Sequence, residues 1–160
     1  KLKLRHTPSD MIRAYIPHDE LQKLQEILYD SQKVAFSVPL TKGIKSLLAL
    51  LKKKRIPYFL VSRRKIPRIA IEIFRKHSLW PLYFNKKNSF FVDKPEDKNK
   101  KASKLGVTHY IDDELKVINV LSKVPHRFLF DQFGVFQDAQ HYIRIKSWRD
   151  FRSRIFPSLV

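Results

Sequence analysis

The sequence has no cysteine, which excludes disulfides, thiolate zinc sites and a cysteine nucleophile, and makes a cytoplasmic setting the simpler expectation. Glycine is almost as scarce. Gly43, Gly106 and Gly134 stand alone, so no glycine-rich loop is available to wrap a phosphate in the manner of nucleotide-binding motifs. No apolar run approaches the roughly 18 residues that a membrane-spanning helix needs, and no basic-then-apolar leader with a cleavage site opens the chain. The expectation is a soluble protein with no membrane partner. Acidic residues are also few, with 15 Asp and Glu against 33 Lys and Arg, a net charge of +18. Between Lys42 and Lys76 twelve basic residues face one acid, Glu72. Such an excess suits a polyanion such as nucleic acid, or an anionic substrate, and equally a lysine-rich surface that merely faces solvent; charge alone identifies no partner.

What is present is enough apolar and aromatic side chain, 43% and 12%, for a folded protein, and 160 residues suit one domain with a sizeable core. Leu21, Leu24, Ile27 and Leu28 recur at helical spacing after Asp19 and Glu20, and Pro17 separates this helix from a shorter helical piece before it. Ile44, Leu47, Leu48 and Leu51 make a second helical face that ends in Lys52–Arg55, and "IPYFLVS" reads as a buried strand. The alternation continues: "PRIAIEIFRKHSL" as a helix, "WPLYF" as a strand or turn, "SFFV" as a brief strand, and a helix over residues 96–105 closed by Gly106. "VTHYI", "HRFLF" and "YIRI" read as further strands, with helices over "ELKVINVLSKV" and "SWRDFRSRIF". Strands and helices in alternation specify an α/β fold with a mainly parallel sheet covered on both faces, its functional groups at the carboxyl ends of the strands.

Two such ends stand out. Ser62 closes "YFLVS" and Asp112-Asp113 close "VTHYI". Adjacent carboxylates repel unless a cation or a basic side chain neutralises them, and an oxygen-only donor set at a strand end suits Mg²⁺. The plainer alternative has Asp113 capping a helix that starts at Glu114 and Asp112 in solvent. Arg63, Arg64 and Lys65 follow Ser62 directly and could hold a phosphate or a nucleic-acid backbone. Trp80, Tyr83 and Phe84 beside Lys86 and Lys87 could stack bases, or could be core. The histidines at 6, 18, 77, 109, 126 and 141 show no metal-ligand spacing.

Taken in order, "FLVSRR", Lys98, "LGVTHYIDD" fourteen residues on, "RFLFD" and "IKSW" resemble the haloacid dehalogenase-like (HAD-like) hydrolase superfamily, in particular its small-capped branch of predicted phosphatases. The resemblance runs through essentially the whole chain. It implies a three-layer, Rossmann-like single domain over 1–160, with a helical, cap-like segment at 1–32 and an α/β core at 33–160. It also implies Mg²⁺-dependent phosphomonoester hydrolysis of a phosphorylated small molecule. Carried over, Ser62 would hydrogen-bond a phosphoryl oxygen, and Lys98 would neutralise the phosphoryl charge, with Lys100 and Lys101 as register alternatives. Asp112 and Asp113 would hold Mg²⁺. The family's first motif, a strand ending in Asp-x-Asp that supplies the nucleophile and the general acid, has no counterpart before residue 60. Ser37-Val38-Pro39 is the one strand-like end there, and it offers no carboxylate; it better matches the segment leading into the core helix. "FLFDQFG" imitates the motif at Asp131 but has Phe133 at the acid position and reads as the family's late strand and loop. The resemblance therefore implies either a nucleophile supplied from outside this sequence or a catalytically inactive relative that binds nucleic acid or a ribonucleoprotein through its basic face.

Overall fold

The computed structural model describes residues 12, 15–30, 32–64 and 66–157. Lys65, His6 and nearly all of the helical piece expected before Pro17 lie outside the described residues. The chain divides into two compact units, Gln22–Asp93 and Lys94–Val160 together with Lys1–Leu21. Both are mixed α/β, and every pairing between their strands is parallel. No helix among the described residues is long and apolar enough to cross a membrane.

Helix α1 (His18–Asp30) starts where Asp19 and Glu20 complement its amino-terminal dipole. Leu21 is buried, whereas Leu24 and Ile27 on the same side stay exposed. Periodicity specifies an apolar face, not a partner for it. Residues Gln32–Ser37 form α2, which corrects the strand-like reading of Ser37. The Ser37 hydroxyl donates back to the Val34 carbonyl at 2.7 Å, a bond that the helical turn brings within reach.

In Gln22–Asp93, α3 (Ile44–Lys53) buries Leu47 and Leu48 and ends in Lys52 and Lys53, where cations suit the carboxyl-terminal dipole. Strand β1 (Leu60–Ser62) follows, then α4 (Pro67–Lys76), opened by a proline in its first turn, and β2 (Ser89–Phe91). β1 and β2 pair with Leu60 opposite Ser89 and Ser62 opposite Phe91. Leu48, Leu79 and Phe84 make the core here, with Ile44, Tyr58, Leu60, Phe74, Trp80 and Tyr83 packed on it. "WPLYF" forms turns, including a cis Trp80–Pro81 bond.

In the other unit, α5 (Pro95–Lys104) opens with Pro95 and with the Asp97 carboxylate accepting the Lys94 N–H at 3.3 Å. It closes at Gly106, whose φ of +64° lets the Val107 amide turn back to the Ala102 carbonyl at 3.0 Å. Strand β3 (His109–Asp112), short helix α6 (Leu115–Val120), β4 (His126–Phe130), β5 (Ile143–Ile145) and α7 (Trp148–Ile155) complete it. The sheet order is β3-β4-β5, with His109 opposite His126 and Phe128 opposite Ile143. Val117, Ile118, Leu121, Phe128, Leu129 and Ile145 are fully buried, and Phe151 meets the Phe128 ring edge-on at 5.0 Å. Ser147 caps α7 by accepting the Asp150 N–H at 3.0 Å, while Asp150 accepts from the Lys146 N–H and from Arg154 Nε.

Candidate functional site

β3 carries its last side chain, Asp112, to the carboxyl edge of the sheet, and Asp113 follows in the bend after the strand. Asp113 is exposed. The Asp112 carboxylate keeps only 7% of its side-chain surface, and α5 brings Lys98 to it with 8%. Lys98 Nζ donates to Asp112 Oδ2 at 2.6 Å, and the Glu114 N–H donates to Asp112 Oδ1 at 3.0 Å. Asp112 therefore engages the backbone that leads into α6. The N-cap position falls on Glu114, one residue later than the plainer alternative has it, and Asp112 is not in solvent, which corrects that part of it.

Burial raises the Asp112 pKa, and Asp113 adds to the rise. The charge and hydrogen bond of Lys98 and the Glu114 amide oppose it without cancelling it, so the net direction is upward. Of Lys98, Lys100 and Lys101, Lys98 is the buried one that reaches the aspartate. Lys100 is exposed and reaches Asp97 at 3.2 Å, and Lys101 is half-buried with a contact of its own.

A carboxylate has about four lone-pair positions, and Lys98 and Glu114 occupy one on each Asp112 oxygen. Mg²⁺ is commonly held by one or two carboxylates with substrate oxygens and water completing the shell, and Asp112 with its neighbour Asp113 fits that chemistry in kind. Among the described residues no three His, Asp or Glu groups converge to hold a metal ion by themselves.

Ser62 closes β1 in the other unit, its carbonyl accepting the Val92 N–H at 3.0 Å. Arg63 and Arg64 are half-buried and already engaged in contacts. Phe84 is core, stacked on Phe74 at 5.4 Å, so of the three aromatics proposed to stack bases it is the one removed from solvent.

Two features escape sequence reasoning. Asp131, at the end of β4, is 2% exposed and acts as a clamp: its carboxylate accepts the N–H groups of Val135 and Phe136 at 2.9 and 3.1 Å, and Arg144 Nη1 donates to it at 3.3 Å. The spacing Asp-x-x-Gly is the only local signal for such a turn. His109 and His126 meet across β3 and β4, ring centroids 4.6 Å apart, a contact set purely by strand register. Burial, and then the neighbouring His126 charge, lower the His109 pKa. A histidine with a depressed folded pKa binds fewer protons folded than unfolded, so its contribution to stability is present above about pH 6.5 and is lost as pH falls through the folded value. Urea denaturation across pH 5–7.5 is expected to show a shallower pH dependence in His109→Gln than in wild type. Identical slopes would remove the His109–His126 pair as the source.

No protein-family model, curated protein or solved structure matches the chain.

Proposed function

We propose that this chain forms the core of a HAD-like phosphomonoester hydrolase, with Lys98, Asp112 and Asp113 as its phosphoryl- and Mg²⁺-handling groups. The observation that carries the reading is the buried Lys98–Asp112 contact at the carboxyl edge of a parallel sheet. A buried ion pair is a weak stabiliser, because the desolvation of two charges offsets most of their attraction. Its presence where α/β folds place ligands points to chemistry rather than to stability. The pairing of a lysine with the acid fourteen residues later is also the spacing on which the family resemblance rests.

In this reading Lys98 has two tasks. Its ammonium favours the ionised form of Asp112 against a burial that favours the acid, and it presents fixed positive charge where phosphoryl oxygens gather negative charge in the transition state. Asp112 and Asp113 would hold Mg²⁺, which would supply Lewis-acid neutralisation of phosphoryl oxygens. The Glu114 N–H fixes the orientation of the Asp112 carboxylate. The aspartyl nucleophile of the family is not assigned to any residue here, and Asp131 is unsuited to it because both its oxygens already accept backbone N–H groups.

Hydrolysis of p-nitrophenyl phosphate by the full-length gene product, with and without Mg²⁺, tests the proposal. Activity is expected to require Mg²⁺ and to fall about 100-fold or more in Asp113→Asn, the scale of losing one preorganised charge-stabilising group. Turnover that is indifferent to Mg²⁺ and survives Asp113→Asn would overturn the assignment.

A further inference from the structure

The charge of the chain is unevenly divided. Gln22–Asp93 holds sixteen Lys and Arg against four Asp and Glu, a net of +12 out of +18. Within that unit the fold gathers part of it into one place. Lys52 Nζ donates to the Leu82 carbonyl at 3.0 Å and sits 5.7 Å from the centre of the Tyr83 ring, fastening the end of α3 to the turn that follows Leu79. Lys53, Lys54 and Arg55 lie exposed beside the fastened end, and Lys86 and Lys87 lie exposed a few residues beyond Tyr83.

The loop that carries Lys86 and Lys87 is built. The Asn85 N–H donates to Asn88 Oδ1, the Lys87 N–H to Asn85 Oδ1 and Asn88 Nδ2 to the Tyr83 carbonyl, each at 2.8 Å. These bonds hold the backbone while both ammonium groups stay at the surface. None of the five cations enters an ion pair among the described residues.

The dipole of α3 accounts for a preference for cations at its last turn, but not for Lys86 and Lys87, and not for the backbone at Arg55. Arg55 has φ +54°, the left-handed position just past a helix end that glycine occupies most cheaply. A long cationic side chain at a strained backbone position marks it as a candidate for function.

We propose that Lys53, Lys54, Arg55, Lys86 and Lys87 form a sequence-independent binding surface for the phosphate backbone of a nucleic acid. The surface does not rest on the hydrolase reading. Nucleic acid is favoured over an anionic membrane because Leu47 and Leu48 of α3 are buried, leaving Leu82 as the one large exposed apolar side chain in the patch. A membrane-surface helix needs a continuous apolar face beside its cations.

The test is fluorescence anisotropy with a labelled 20-nucleotide oligo-U RNA and a 20-base-pair DNA duplex, over 50–300 mM KCl. Lys53→Glu, Lys54→Glu, Lys86→Glu and Lys87→Glu combined are expected to weaken binding at least 100-fold at 50 mM salt. The slope of log K against log salt for the single strand should become shallower by about 3, at roughly 0.7 for each phosphate that is no longer neutralised. Lys94→Glu, Lys104→Glu, Lys123→Glu and Arg149→Glu combined make the same change of net charge on exposed residues of the other unit, and should weaken binding only a few-fold. Arg55→Gly should raise the melting temperature while lowering affinity, a pair of opposite effects that a purely structural role would not produce. Equal loss in the two quadruple variants, no binding at 50 mM salt, or tighter association with phosphatidylserine vesicles than with either nucleic acid would overturn the surface. Unchanged affinity in Arg55→Gly would remove Arg55 from it.

Discussion

Lys98→Met is expected to destabilise the protein by about 3–5 kcal/mol at pH 7, read as a lowered urea midpoint with an unchanged m-value. The cost is not the strength of the 2.6 Å contact. It is the penalty of leaving the Asp112 carboxylate, 7% exposed, without its counter-charge. The direction of the Asp112 pKa makes the claim testable by a second route. Its folded value already lies above the usual carboxylate value, raised first by burial, and removing Lys98 takes away the largest opposing influence. A group whose folded pKa is raised binds more protons folded than unfolded, so its contribution to stability is present at low pH and is lost as pH rises through the folded pKa. The deficit of Lys98→Met should therefore shrink as pH falls toward 4. Adding Asp112→Leu to Lys98→Met should recover most of the lost stability at pH 7, because an apolar pair of similar size avoids both desolvation costs. That double variant should be folded and without phosphatase activity, which separates fold from chemistry. A loss below about 1 kcal/mol in Lys98→Met, or a double variant no more stable than the single, would show that the pair is solvated and would take away the main support for the proposed site.

Local order was legible where a residue type has only one cheap position. Pro67 and Pro95 open helices, Gly106 closes one, and Asp19 and Glu20 sit in a first turn, so the limits of these elements follow from backbone chemistry. Parallel pairing followed from alternation, since a helix between two strands brings the second back in the same direction. Asp112 could be placed at a strand end, and Lys98 fourteen residues earlier, but nothing local says that Lys98 points inward while Lys100, two residues on, reaches Asp97 at the surface. Facing is settled by which side of α5 packs against α6 and reaches the end of β3. The strand-like reading of Ser37 failed for the opposite reason. "QKVAFS" is too short for its periodicity to decide, and tertiary contacts made it a helix: Lys76 donates to the Phe36 carbonyl and His77 Nε2 lies 3.3 Å from the Val38 carbonyl, fixing α2 beside the end of α4. The His109–His126 pair depends on register between strands separated by α6, and no single window of sequence contains it.

Asp131→Ala is expected to cost about 3–4 kcal/mol, comparable to a large core truncation although no apolar contact is removed. Two amide donors, Val135 and Phe136, lose their acceptors together, and an unsatisfied buried donor costs about 1–3 kcal/mol. Arg144 keeps the Phe136 carbonyl and Asp138 as partners, so its share of the loss is small. Hydrogen exchange should locate the damage at residues 132–136, where Val135 and Phe136 lose protection before β4 and β5 do. Asp131→Asn keeps one carbonyl oxygen as an acceptor and turns the other position into a donor, so one amide of the two goes unmet and the loss should be about half as large. The two substitutions also distinguish a clamp from a nucleophile. A clamp predicts graded losses of stability, with turnover per folded molecule unchanged in Asp131→Asn; a nucleophile predicts the reverse, full stability and no turnover. The three donors on Asp131, two of them backbone amides of its own loop, argue for the clamp, because a carboxylate so occupied presents no free oxygen to a phosphorus atom.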